Sequence, residues 1–351
     1  MDKDDVFVIG LMSGTSLDGI DLVYVKFDKN NYQNFKIIEA KTISYSNNWK
    51  NMLQKAIAYS NEELLKLDVE YGRFLGETIN NFIDDFKIVN IDFIASHGHT
   101  ILHQPKKGIT LQIGNGKEIT KITNVKVVCD FRTQDVKLGG QGAPLVPVGD
   151  ELLFSNYEYC LNLGGFSNIS FKRGSKRIAF DICPVNIVLN FYVNKLGFQF
   201  DDKGEIATKG ILNQKLLERL DGLEFYKKEP PKSLGLEWVQ ENVFPLIDEF
   251  ESDVPSILRT FVEHISNQIS KIIDSDSVLI TGGGAFNSFL INRIEAAAKI
   301  KITLPNNELI DFKEALIFAF LGVLKIDNQV NCLSSVTGAS KNHSSGVIFY
   351  P

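Results

Sequence analysis

Cysteine is scarce in this chain. Of 351 residues only Cys129, Cys160, Cys183 and Cys332 are cysteine, with no C-x-x-C spacing, which excludes a disulfide framework and a thiolate zinc cluster and suits a reducing compartment. Long apolar runs are missing too. The longest lipid-compatible stretch, residues 315–324, is interrupted by Gly322 and falls short of the ~20 residues that span a bilayer, so a buried helix is predicted there and no membrane partner. Positive charge is not in excess. Thirty-seven dispersed Lys and Arg stand against 43 Asp and Glu, a net charge of −6, which leaves no electrostatic footprint for a nucleic-acid partner. The opening Met1-Asp2-Lys3-Asp4-Asp5 has neither the basic flank nor the cleavage site of a secretory signal, so a cytoplasmic location is expected. No G-x-x-x-x-G-K-[ST] loop occurs.

What is present is enough apolar sequence for two cores. The hydrophobic share is 44%, and the length exceeds the ~250–300 residues at which a single core stops growing. Apolar residues 6–10 lead into the Gly/Ser/Thr segment 13–19 and then the strand-like Ile20, Leu22, Val23 and Val25. A second such unit follows: residues 159–163, then Gly164-Gly165-Phe166-Ser167-Asn168, then Ile169-Ser170-Phe171. A third strand, residues 277–280, enters Gly282-Gly283-Gly284 and a helix-like stretch, residues 288–298. Ile257, Phe261, Val262, Ile265, Ile269 and Ile272 fall on one face of a helix over residues 256–273. Short strands alternating with helices, and a Gly-rich hairpin in each half, predict α/β lobes related by duplication. The lobes are placed at residues 1–140 and 141–351, with the C-terminal segment able to return to the first; Pro230-Pro231 is read as an exposed loop.

Each Gly-rich turn taken singly reads more readily as a plain hairpin connection than as a ligand site. Their pairing favours a ligand, because glycine lets backbone amides approach phosphate oxygens. Three glycines at residues 282–284 would let a flat ring lie against bare backbone.

The segment Gly10-Leu11-Met12-Ser13-Gly14-Thr15-Ser16-Leu17-Asp18-Gly19-Ile20-Asp21 resembles the opening signature of the anhydro-N-acetylmuramic acid kinases, members of the actin-like, hexokinase-like ATPase superfamily. The resemblance continues through Ser96-His97-Gly98-His99-Thr100, Asp130-Phe131-Arg132, Gly139-Gly140-Gln141-Gly142-Ala143-Pro144, Asn162 to Asn168 as quoted above, Glu314-Ala315 and Val336-Thr337-Gly338-Ala339. It implies two duplicated actin-like (ribonuclease H-like) α/β lobes with an interlobe active-site cleft. It also implies an enzyme that uses ATP, with Mg2+, to phosphorylate O6 of an anhydro amino sugar while water opens the anhydro bridge. A small-molecule amino sugar is thus the expected partner, with the chain acting singly or as a homodimer.

Carried over residue by residue, the resemblance makes Gly14, Thr15, Ser16, Leu17, Asp18, Gly19, Ile20 and Asp21 the first nucleotide loop. Gly164, Gly165 and Asn168 make the second, and Gly282, Gly283, Gly284 and Asn287 the base side. His97, His99, Arg132, Asn186 and Glu314 would bind the sugar, and no protein metal ligand is assigned. The catalytic Asp-x-Gly-Pro-Gly-Asn of the family maps onto Asp181-Ile182-Cys183-Pro184-Val185-Asn186, making Asp181 the catalytic residue. Both glycines are replaced there, and Val185 resists a positive φ. His99 stands where the family usually has glutamine, and Leu234 where it more often has threonine.

Plainer readings stand beside these. Asp181 could cap the next helix, Arg132 could pair with Asp130 or Asp135, and Glu314 could simply begin a helix. His97, His99 and His103 could share one side of a strand as zinc ligands, although Gly98 makes that strand irregular. The departures leave room for a kinase of another anhydro or amino sugar, or for a nucleotide-binding regulator without turnover.

Overall fold

The computed structural model describes residues 4–14 and 17–351. Two compact units emerge, Met1–Ser155 with Phe312–Pro351, and Asn156–Asp311. The boundary expected at 140/141 falls inside the first unit, ahead of the helix Val146–Leu153.

In the first unit β1 (Asp5–Ser13), β2 (Gly19–Asp28) and β3 (Phe35–Ser44) form an antiparallel meander, with β4 (Phe93–Gln104) parallel to β1. The strand β5 (Ile109–Ile113) pairs on the later half of β4, β6 (Val127–Cys129) runs parallel to β4, and the last strand, Val347–Phe349, closes on β6. Both faces are covered, so β1 reads as an almost continuous apolar run rather than an alternating one. Ile9 and Leu11 join a core with Leu64, Leu67, Tyr71, Leu75, Ile79 and Phe82, whose spacing of three and four lines one face of the helix Asn61–Phe86. That helix opens on a capping box: the Ser60 hydroxyl accepts from the Glu63 N–H, and the Glu63 carboxylate accepts from the Ser60 N–H. The opposite face carries the helix Asn307–Ile326, which contains the buried stretch 315–324. A Cβ at Gly10 would lie 2.5 Å from the Ala315 carbonyl oxygen, so glycine there is what lets helix and strand approach.

The second unit repeats four of these strands. The sheet order is β10 (Val278–Thr281), β7 (Tyr159–Leu163), β8 (Phe166–Arg173), β9 (Lys176–Pro184). As with β4 and β1, β10 lies parallel to β7 and the rest is an antiparallel meander. Against it packs the helix Val254–Ser270, started by the Asp253 carboxylate accepting from the Ser256 N–H and buried along Ile257, Phe261, Val262, Ile265 and Ile269. Ile272 lies past its end. The two-unit α/β architecture and repeated hairpins expected from the sequence are both present, and no helix among the described residues is long and apolar enough to cross a membrane.

Candidate functional site

The second unit gathers its expected residues around one turn. Gly164 and Gly165 alone connect β7 to β8, and their carbonyls accept from the N–H groups of Val185, Asn186 and Ile187. The Asn186 side-chain amide donates to the Leu163 carbonyl at 3.2 Å. The glycines after β10 meet the same place. Gly282, at φ +82, and Gly284 lie so close to Leu163 that a Cβ on either would fall within 3.0 Å of it, while Gly283 approaches the Asn186 amide. A Cβ at Gly165 would find no neighbour nearer than 3.9 Å, so this glycine leaves open space above the turn. Asn287 has a plainer duty, its side-chain oxygen accepting from Leu290 N–H to start the helix Ser288–Ala298.

Asp181 lies in β9 opposite the exposed Asn168 of β8. Its carboxylate accepts from the Leu234 N–H at 2.8 Å rather than from a helix terminus, and the helix Asn186–Asn194 has no side-chain cap. Partial burial raises its pKa from the ordinary aspartate value, with the Leu234 hydrogen bond opposing. The replaced glycines need no positive φ: Val185 takes φ −131, and both Cys183 and Val185 are fully buried in the core. Cys183 N–H donates to the Ser167 hydroxyl, which in turn donates to the Cys183 carbonyl. The register shift between Ser167 and Asn168 absorbs Ile182.

In the first unit Arg132 is held by two bonds, Nε donating to His97 Nε2 at 2.8 Å and Nη1 to the Gly142 carbonyl at 2.7 Å, with its guanidinium 5.8 Å from the Phe318 ring. Neither Asp130 nor Asp135 pairs with it. Accepting at Nε2 fixes the His97 proton on Nδ1, which donates to the Gly98 carbonyl at 2.9 Å. Burial, then the Arg132 charge, keeps His97 neutral, its pKa well below 6.5. His97, expected to touch the sugar, has both ring nitrogens engaged within the protein, one of them on Arg132. Glu314 is exposed and sits well inside the helix Asn307–Ile326, so it does not begin it. Surrounding protein raises its pKa and Arg132 lowers it, while solvent exposure weakens the first effect.

The three histidines do not share a side. Gly98 takes φ +73, and a Cβ there would lie 2.3 Å from the Ile113 carbonyl oxygen; the β1–β4 register shifts at this point. The bulge turns the two neighbours apart. His97 packs on Phe318, and His99 packs on Tyr71 and meets the Ser13 hydroxyl at 3.0 Å within a buried Ser13–Tyr45–Tyr71 cluster. His103 pairs with Thr110. Burial lowers the pKa of His99 to about 4.

Of the first loop, Gly14 accepts from the Leu17 N–H, Leu17 sits at φ +60, and Asp18 is exposed. Thr15 and Ser16 lie outside the described residues. Ile20 is a fully buried core residue, so its side chain is unavailable to a nucleotide, and Gly19 is required by packing, since a Cβ would lie 2.5 Å from the Ile43 carbonyl oxygen. Asp21 accepts from the Thr42 hydroxyl at 2.6 Å. Sequence reasoning missed the Lys232–Leu234 backbone around Asp181, the Gly142 carbonyl on Arg132, and Tyr45 and Tyr71. Only the first carries a local signal, the Lys232-Ser233-Leu234-Gly235 motif.

Residues 6–351 match the family model for anhydro-N-acetylmuramic acid kinase. A protein of Coxiella burnetii bearing that name is 33% identical over 369 residues, 97% of each chain, and one of Bacillus cereus is 33% identical over 381 residues, 99% of this chain and all of its own. The (R)-2-hydroxyglutaryl-CoA dehydratase component A of Acidaminococcus fermentans, a solved structure, covers 90% of this chain and 96% of its own at 10% identity and a TM-score of 0.48. With a family match from residue 6 to the last residue, the chain belongs to the anhydro-N-acetylmuramic acid kinase family and is a sugar kinase.

Proposed function

We propose that this kinase uses ATP to convert 1,6-anhydro-N-acetylmuramic acid into N-acetylmuramic acid 6-phosphate, water opening the anhydro bridge, in cell-wall recycling. The observation that carries the reading is Asp181. Its carboxyl is partly buried, raised in pKa and held by one backbone N–H beside the glycine turn, which suits a general base. Asp181 takes a proton from water as the water oxygen bonds to C1. The C1–O6 bond then breaks towards O6, which accepts the γ-phosphoryl group and releases ADP.

Arg132 has a second role. With Nε and one Nη1 proton engaged, its remaining donors can take the lactyl carboxylate of a muramic sugar in a planar fork. Glycines 165 and 283, where a Cβ would meet nothing nearer than 3.7 Å, suit phosphate and nucleoside contact, with Gly164 beside them in the turn. The carboxylates of Asp18 and Asp21 offer the hard oxygen donors that Mg2+ takes, and the ion supplies neutralisation of phosphate charge.

The departures speak for the same sugar rather than another. Cys183 and Val185 point into the core, His99 is buried, and Leu234 meets Asp181 through its backbone. An ADP-release assay on 1,6-anhydro-N-acetylmuramic acid, N-acetylmuramic acid and N-acetylglucosamine tests the reading. Turnover is expected with the anhydro muramic sugar, and preference for either of the others would contradict it.

A further inference from the structure

Cys332 and His343 face each other across an isolated antiparallel bridge, Cys332 N–H donating to the His343 carbonyl at 3.0 Å and His343 N–H to the Cys332 carbonyl at 3.2 Å. Residues so paired put their side chains on one face. Asp135, from the short helix Thr133–Lys137, completes a group whose Asp oxygen, Cys sulfur and His nitrogen all lie within 4.8 Å of one another. All three residues are buried, at 0, 1 and 6% exposure.

The partners of this group are informative. His343 Nδ1 donates to the Lys341 carbonyl at 3.1 Å, which turns Nε2 towards the other two side chains. That Nε2 has no hydrogen-bond partner and points at an Asp135 oxygen 3.5 Å away. The carboxylate is already oriented, Thr337 Oγ1 donating to Oδ1 and Gly142 N–H to Oδ2, each at 2.7 Å. A buried ring nitrogen without a hydrogen-bond partner, a carboxylate oxygen and a cysteine sulfur thus converge on one point in the interior.

We propose that Asp135, Cys332 and His343 bind one zinc-class divalent ion as a structural site, with water in the fourth tetrahedral position. Zn–N and Zn–O bonds of ~2.0–2.2 Å at a tetrahedral angle put nitrogen and oxygen about 3.4 Å apart, close to the 3.5 Å found. A Zn–S bond of ~2.3 Å asks for about 3.6 Å between sulfur and nitrogen, within the 4.8 Å that encloses the group. The His343–Lys341 bond is the outer contact that commonly orients a ligating imidazole. On binding, the Cys332 thiol loses its proton to solvent and the thiolate bonds the ion. Burial and Asp135 otherwise hold that thiol up at about 12, so the cation is what makes it a ligand.

The site adjoins Arg132 through one residue: Gly142 N–H donates to Asp135, while its carbonyl accepts from Arg132. An ion there stiffens the loop that holds the arginine. The site itself does not rest on the choice of sugar.

The test uses the full chain, dialysed against zinc and freed of loose metal. About one zinc per chain is expected, falling to background in Cys332→Ala and His343→Gln. Because a variant can fail for reasons of folding, metal-stripped wild-type protein is also titrated with Co2+. A thiolate-to-cobalt charge-transfer band saturating at one equivalent, and a zinc-dependent rise in unfolding temperature lost in His343→Gln, support the site. Absence of the band in folded wild-type protein, or unchanged zinc in Cys332→Ala, overturns it and leaves Asp135 and a protonated His343 as a buried ion pair.

Discussion

The Asp181 carboxylate accepts from the Leu234 N–H at 2.8 Å, while the Asp181 N–H donates to the Lys232 carbonyl at 3.1 Å. The proposed base is thus clamped by backbone, and the side chain at 234 is free to vary. Leu234→Thr should keep kcat within about twofold, whereas Asp181→Asn should lower it by ~10²- to 10⁴-fold with ATP affinity retained. Steady-state kinetics with calorimetric ATP titration checks both.

A base must be deprotonated to act. Since burial raises Asp181, the acid limb of the kcat–pH profile should lie above the ordinary aspartate value, activity falling as pH drops through that raised pKa. The Leu234 bond stabilises the charged form, so Leu234→Pro, which removes the N–H, should move the limb to still higher pH. A limb that stays in place in a folded variant would count against the clamp.

Lysine cannot reproduce the two bonds of Arg132 and still present a fork. In Arg132→Lys, KM for the sugar should rise roughly 10- to 100-fold, the scale of a lost charge-assisted hydrogen bond, with KM for ATP little changed. His97→Ala should move the same constant in the same direction, because it acts through Arg132.

His99 gives a stability signature. Its folded pKa of about 4 lies below the ordinary 6.5, so between those values the unfolded chain binds a proton that the folded chain does not. Stability should therefore be full above pH 6.5 and fall as pH drops towards 4. Urea unfolding at a series of pH values should show a shallower slope in His99→Gln, with a remainder shared by His97, His103 and His264, which burial lowers in the same direction.

The hairpins were legible because glycine runs interrupt alternating apolar residues, a local pattern that needs no knowledge of neighbours. Residues 315–324 were legible as a buried helix for the same reason, although the helix itself begins eight residues earlier, at Asn307, where the pattern is polar. The irregular strand at the histidines was legible from Gly98, whose φ of +73 breaks the i, i+2 rule on which the zinc alternative rested. Cysteine spacing gave no sign of the group at Cys332, since its partners come from positions 135 and 343 and only folding unites them. The space around Asp181 was hidden for that reason too: Cys183 and Val185 looked like losses in a loop, yet they fill a core.

The central claim is that water opens the sugar while ATP supplies only the phosphoryl group. Single-turnover reaction in ¹⁸O-labelled water, followed by mass analysis of the product, tests it most directly. The account predicts one ¹⁸O at C1 of the N-acetylmuramic acid 6-phosphate and none in its phosphate; label in the phosphate, or an unlabelled C1, would contradict it.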